Sequence, residues 1–259
     1  MRRIPTFAAC VITCWLTLNA AVAGQSLEKG NESNLAVQLN RTAAGRIAER
    51  DFISSIPLLR KATTLKPDFA VAWYNLGTAY YFLGEYGASI SSLKSALLLN
   101  PEYAEAFNQL GVAYTESGGH DEAVVAFQKA IELRPGYELA HYNLGCVLIR
   151  AKKMKQAVQV LKKARSLSPE NNDVLINLGL AYSQLKQPQR AIAVIREALG
   201  RDPNDETGQL LLCKVLLATN DRAAAIAIYH SIKALQPGLE RKLYQMIFDE
   251  KIIRVDTSK

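Results

Sequence analysis

The chain has 259 residues, 49% of them apolar and 21% charged, a balance that excludes a disordered chain. Nine prolines and fifteen glycines exclude collagen-like and low-complexity classes. The net charge of +7 is compatible with an acidic partner or an anionic surface without requiring either.

In chain order, residues 1–23 read as a signal peptide. Arg2 and Arg3 form a positive start, Phe7 to Leu18 is apolar, and Ala21-Val22-Ala23 places small residues before Gly24. The uncharged stretch from Ile4 to Ala23 is also about long enough to cross a bilayer, so an uncleaved anchor is the alternative. The expectation is an exported protein, periplasmic or secreted, with an N-terminally membrane-anchored form as the second possibility. Cleavage removes Cys10 and Cys14, leaves Cys146 and Cys213, and takes the net charge from +7 to +5. Residues 24–35 are polar and are expected to be a loose lead-in.

From there on the chain repeats. Pro67, Pro101, Pro135, Pro169, Pro203 and Pro237 are each 34 residues apart. With repeats starting at Ala36, Ala70, Ala104, Glu138, Asn172 and Glu206, other columns keep step. The seventh position holds Leu76, Leu110, Leu144, Leu178 and Leu212; the eighth holds Gly77, Gly111, Gly145, Gly179 and then Cys213. Small residues recur at the twentieth (Ser89, Ala123, Ala157, Ala191, Ala225) and at the twenty-seventh (Ala96, Ala130, Ala164, Ala198). Apolar residues at positions 4, 7, 8 and 11 share one helix face, as do those at 20, 24 and 27 on a second helix. Small residues at 8, 20 and 27 let the two helices approach closely.

Gly84 and Gly118 fall at the turn between the two helices, where a left-handed residue closes a helix, and Asn220 occupies the same place. Lys152 and Lys186 stand there in two other repeats and are expected to need another turn geometry. In the first repeat, Pro57 falls inside the second helix, so that helix is expected to start late with Ser54 or Ser55 as its cap. After Pro237, Leu239, Leu243, Met246 and Ile247 form an apolar stripe, read as a capping helix and tail over 240–259.

These motifs resemble the tetratricopeptide repeat. The run Val71-Ala-Trp-Tyr-Asn-Leu-Gly-Thr-Ala-Tyr80, continuing to Ala96 and Pro101, is similar to the family pattern. The resemblance implies an all-α fold, a right-handed α-solenoid of about six helix-turn-helix repeats (36–69, 70–103, 104–137, 138–171, 172–205, 206–239). It also implies a concave groove lined by first-helix positions 2, 5, 6, 9, 12 and 13, used to bind proteins. On those columns, or beside them, lie Tyr74, Asn75, Thr78, Tyr81, Phe82, Asn108, Gln109, Tyr142, Asn143 and Asn177. A carboxamide both donates and accepts, so the amides suit the backbone of an extended peptide, while the aromatics suit apolar side chains. The family's clamp for a C-terminal carboxylate needs basic residues where this chain has Val71, Tyr74, Asn108, Leu139 and Tyr142, so a chaperone-tail ligand is not expected.

The repeat 138–171 concentrates positive charge in Arg150, Lys152, Lys153, Lys155, Lys162, Lys163 and Arg165, against Glu138 and Glu170. Most of these fall in the inter-helix turn and on the outer helix, which reads first as a solvated face. Nucleic acid is not expected, because no aromatics interleave with them. The three histidines, His120, His141 and His230, lack metal-ligand spacing, Gly118-Gly119 follows no strand, and no nucleophile has a positioned base. No cofactor, metal or enzymatic activity is expected. Cys146 and Cys213 fall two repeats apart, on the order of 20 Å at ordinary helix spacing, too far for a disulfide. The reading is a protein-interaction scaffold, with an envelope complex as its setting. A pilus-assembly type of factor or a membrane-anchored structural subunit is the alternative.

Overall fold

The computed structural model describes residues 31–232 and 237–248; the expected signal peptide and the tail after Phe248 lie outside the described residues. All regular structure among the described residues is helical. Helix α1 covers 31–48. It is followed by α2 (Phe52–Leu65), α3 (Ala70–Phe82), α4 (Tyr86–Leu99), α5 (Ala104–Glu116), α6 (His120–Leu133) and α7 (Glu138–Arg150). Then come α8 (Met154–Leu167), α9 (Asn172–Gln184), α10 (Pro188–Arg201), α11 (Glu206–Ala218), α12 (Arg222–Ile232) and α13 (Pro237–Phe248). The odd-numbered helices from α3 to α11 each start 34 residues after the last, and so do the even-numbered ones from α2 to α12.

The chain forms two compact units, one up to Ser117 and one from Gly118. In the first, α2 packs on α3, α3 on α4 and α4 on α5; in the second, the same succession runs from α6 to α13. Each unit is thus an all-α solenoid of antiparallel helices. The close approach is made at the eighth position. A methyl group on Gly77 would stand 2.6 Å from Leu93 Cγ, on Gly145 2.4 Å from Leu161 Cδ2, and on Gly179 2.4 Å from Ile195 Cγ1. The partner is at position 24 each time, so glycine is what lets a Leu or Ile of the second helix sit against the first helix's backbone.

The turns correct one expectation. Lys152 (φ 57°) and Lys186 (φ 56°) adopt the same left-handed conformation as Gly84 (φ 77°), Gly118 (φ 87°) and Asn220 (φ 62°), and Arg50 (φ 61°) joins them. In each case where the closing bond can be named, the next residue's N–H donates five residues back: Asp51 to Arg46, Glu85 to Tyr80, Lys153 to Leu148, Gln187 to Tyr182, Asp221 to Leu216. That bond closes the helix end and fixes the turn, and it outweighs a left-handed penalty of about 1–2 kcal/mol for a residue with a Cβ. Lys152→Gly and Lys186→Gly should therefore each raise the unfolding free energy by about 0.5–1 kcal/mol, the strain relieved less the extra freedom glycine gives the unfolded chain. Urea melts of the two variants check this.

Helix α2 differs from expectation at its start. Asp51, not Ser54 or Ser55, is the cap; its carboxylate accepts from Ser54 N at 3.1 Å, and the same hydrogen bonding holds its carboxyl below the usual range. Pro57 stays inside the helix. It removes the bond to the carbonyl of Ile53, a residue 73% exposed, so water can replace the lost donor. Residues 31–35, expected as part of a loose lead-in, are helical. The C-terminal helix starts at Pro237, because proline at the first helical position needs no N–H. It closes the second unit with Leu239, Leu243 and Ile247, all fully buried.

Candidate functional site

The fifth and sixth positions of the first helices stitch neighbouring repeats together. Asn75 Nδ2 donates to Asn40 Oδ1 at 2.9 Å, from position 6 of one repeat to position 5 of the preceding one. Tyr142 and Asn177 repeat the arrangement in the second unit, where their side chains hydrogen-bond. Asn177 Nδ2 also donates to its own helix at Asp173 O, 2.9 Å away. These amides therefore spend hydrogen-bonding capacity on inter-repeat and intrahelical contacts.

The other sequence-selected residues divide by place. In the first unit Thr78 donates to Tyr74 O at 3.0 Å, Gln109 is half-buried, and Asn108 is buried at 4% exposure. Tyr74 packs against Tyr103 with ring centroids 5.0 Å apart; burial raises both phenols, that of Tyr103 to about 12. Tyr81 and Phe82 lie at the turn end of α3. Phe82 is stacked on Phe52 at 4.5 Å, and Tyr81 sits edge-on to Phe82 with Tyr86 beyond it. Phe82 nevertheless remains 50% exposed. In the second unit Tyr142 and Asn143 are half-buried, and burial is the main cause that drives the Tyr142 phenol far upward.

The basic residues of 138–171 are partly engaged. Lys153 Nζ meets Asp121 Oδ1 at 2.8 Å, and Arg165 Nη2 holds both oxygens of Glu197 at 3.0 and 2.9 Å. Arg150 also has a partner. Lys152, Lys155, Lys162 and Lys163 are exposed.

Two hollows lie in the second unit, on columns the sequence pointed to, and of their lining residues only Asn177 is among those it singled out. One, of about 220 Å³, lies between α9 and α11 and is lined by Asp173, Ile176, Asn177, Leu180, Asp205, Thr207 and Leu211. The other, of about 510 Å³, lies between α11 and α13 and is lined by Thr207, Leu210, Leu211, Lys214, Lys242, Gln245 and Met246. Thr207, Leu210, Leu211 and Lys214 hold positions 2, 5, 6 and 9 of the sixth repeat. They are neither amides nor aromatics, and only their column marks them in the sequence.

Position 4 carries a further device. Trp73 Nε1 donates to Pro67 O at 2.9 Å, His141 Nε2 lies 3.0 Å from Pro135 O, and Gln209 Nε2 donates to Pro203 O. Leu175 has no donor in the fifth repeat, and there Arg201 Nη1 reaches Pro169 O.

Among the described residues, the thiols of Cys146 and Cys213 are free. Burial raises both, Cys213 to about 11. At pH 8 both should stay protonated in the folded protein and react slowly with iodoacetamide, then quickly once denatured. A native-state rate equal to that of a small free thiol would count against this burial.

Two sequence models of the tetratricopeptide repeat match the chain, one over 68–136 and the other over 148–209 and 184–246. No curated protein matches it in sequence. Among solved structures, PilW, a widely conserved type IV pilus biogenesis factor, superposes with a TM-score of 0.72 at 19% identity, over 81% of this chain and 98% of PilW. MamA gives a TM-score of 0.59 at 27% identity, over 62% of this chain and 94% of MamA. YrrB, a TPR protein with an unusual peptide-binding site, gives 0.61 at 19% identity, over 71% and 94%.

Proposed function

Because the chain belongs to the tetratricopeptide-repeat family, we propose that it is an exported, non-catalytic adaptor that holds a segment of a partner protein along its first helices. The observation that carries this is the pair of hollows on first-helix columns 2, 5, 6 and 9, where Thr207, Leu210, Leu211 and Lys214 border open space. Peptide binding by YrrB and pilus biogenesis by PilW, relatives in fold, are in keeping with an interaction role and with a setting in the cell envelope. The layout we favour is a signal peptide over 1–23, six repeats over 36–239 and a cap and tail beyond.

The test is a photo-crosslinking amino acid placed at Leu211 on the first-helix face and, as control, at exposed Gln159 on α8. Adducts at Leu211 to one partner, absent at Gln159, are the expected result. Equal crosslinking at both sites, or none at Leu211 in cells that express the protein normally, would sink the reading.

The uncharged stretch Ile4–Ala23 favours a second reading, a membrane-held subunit that keeps its N-terminus. The cysteines separate the two. A denatured, reduced exported protein should titrate two thiols per chain, Cys146 and Cys213, if the leader is removed, and four if Cys10 and Cys14 remain.

A further inference from the structure

We infer that the groove of the second unit takes an extended segment whose side chains on one face run basic, apolar, acidic. The inference rests on the groove-binding reading above and adds the chemistry of the occupant.

The two hollows share Thr207 and Leu211, so they form one run along α11. Its ends carry opposite charge. Asp173 and Asp205 line the first hollow, and that hollow holds no basic side chain. Lys214 and Lys242 line the second, which holds no acidic one. The middle is apolar, with Leu210 and Leu211 on α11 and Met246 on α13. In a chain with a basic surplus, a hollow bearing two carboxylates has the sign for a lysine or arginine of the partner.

Asp205 is already used in part, since it caps α11 by accepting from Thr207 N at 2.9 Å. Its side chain keeps acceptor capacity beyond that one bond. Lys242 lies 3.8 Å from Glu206, but both are more than half exposed, and such a pair is weak enough to yield to a partner's carboxylate.

Spacing fixes the rest. Asp205 at the start of α11 and Lys214 within it are nine residues apart, a rise of about 13 Å along the helix axis at 1.5 Å per residue. An extended chain covers that distance in four residues at about 3.3 Å each, and residues i, i+2 and i+4 of such a chain point the same way. The pattern is therefore Arg or Lys, then an apolar residue two further on, then Asp or Glu two beyond that.

The experiment uses fluorescein-labelled peptides built around Arg-Thr-Leu-Thr-Glu, with Arg-Thr-Leu-Thr-Arg, Glu-Thr-Leu-Thr-Glu and Gln-Thr-Leu-Thr-Gln as controls. Anisotropy is read on the full exported chain at low and at physiological salt. The mixed-charge peptide should bind about tenfold more tightly than each control, and the difference should shrink with salt. Asp173→Asn with Asp205→Asn, which keeps a capping side chain on α11, should remove most of that preference. Lys214→Glu with Lys242→Glu should transfer it to Arg-Thr-Leu-Thr-Arg.

Equal binding of all four peptides overturns the charge assignment while leaving groove binding in place. Absence of binding by any of them overturns both. An unlabelled peptide of residues 249–259 that displaced the probe better than unlabelled Arg-Thr-Leu-Thr-Glu would make the chain its own occupant, and the partner assignment would fall.

Discussion

Gly145→Ala should lower the unfolding free energy by about 2 kcal/mol. The added methyl would stand 2.4 Å from Leu161 Cδ2 and 2.5 Å from its Cγ, with Leu161 fully buried. Overpacking of this kind costs about 3 kcal/mol at the upper end of its usual range. Alanine's better helix propensity returns about 1 kcal/mol, which leaves the net loss. Leu161→Ala alone should cost about 3 kcal/mol through the cavity it opens. The double variant is decisive. Its methyl enters the space the leucine vacated, so its loss should fall short of the sum of the two single losses by 1 kcal/mol or more. Urea denaturation of the three variants measures the coupling. Losses that add to within about half a kcal/mol would show that the glycine is not there for this contact.

Leu243→Ala should cost about 3 kcal/mol, and the damage should stay local. Leu239, Leu243 and Ile247 are the fully buried face of α13, which covers α11 and α12. Arg222 Nη2 ties the same helix down by donating to Ile247 O at 2.9 Å, and Tyr229 Oη donates to Glu240 at 3.1 Å. In a stack held by nearest-neighbour contacts, a lesion at one end weakens the adjoining repeat first. Amide exchange should therefore quicken in α11–α13 of the variant and stay unchanged in α3 and α4. Uniform loss of protection from α6 to α13 would show that the second unit opens as one block instead.

The helices were the most legible part of the sequence, because their signal is periodic. Gly77, Gly145 and Gly179 keep one column and Leu93, Leu161 and Ile195 another, and each pair meets as the two columns require. The turns were half legible. Glycine and asparagine advertise a left-handed residue, but Lys152 and Lys186 do not, because the bond that holds them belongs to the helix end and not to their side chains. Propensity alone makes Pro57 a helix breaker, and it carries no trace of the exposed face that lets water take the freed carbonyl.

The candidate site was legible as columns and much less so as residues. The carboxamides of Asn75 and Asn177 suit a peptide backbone, and the structure gives each a partner inside the protein. Thr207, Leu211 and Lys214 have no unusual chemistry to mark them. What sets them apart is their place at the end of the stack, where open space lies between α11 and α13.

The fourth column of the repeat shows what that position demands. Indole, imidazole and carboxamide share little except an N–H at a similar reach, and each places its nitrogen at a proline carbonyl six residues earlier. In these three repeats the position is served by one atom, whereas the third repeat places the hydrocarbon ring of Phe107 there. Trp, His and Gln are interchangeable there as donors, and in the fifth repeat Arg201 lends the donor that Leu175 lacks. A designer building arrays from this chain would carry that donor along with its repeat, as a pair.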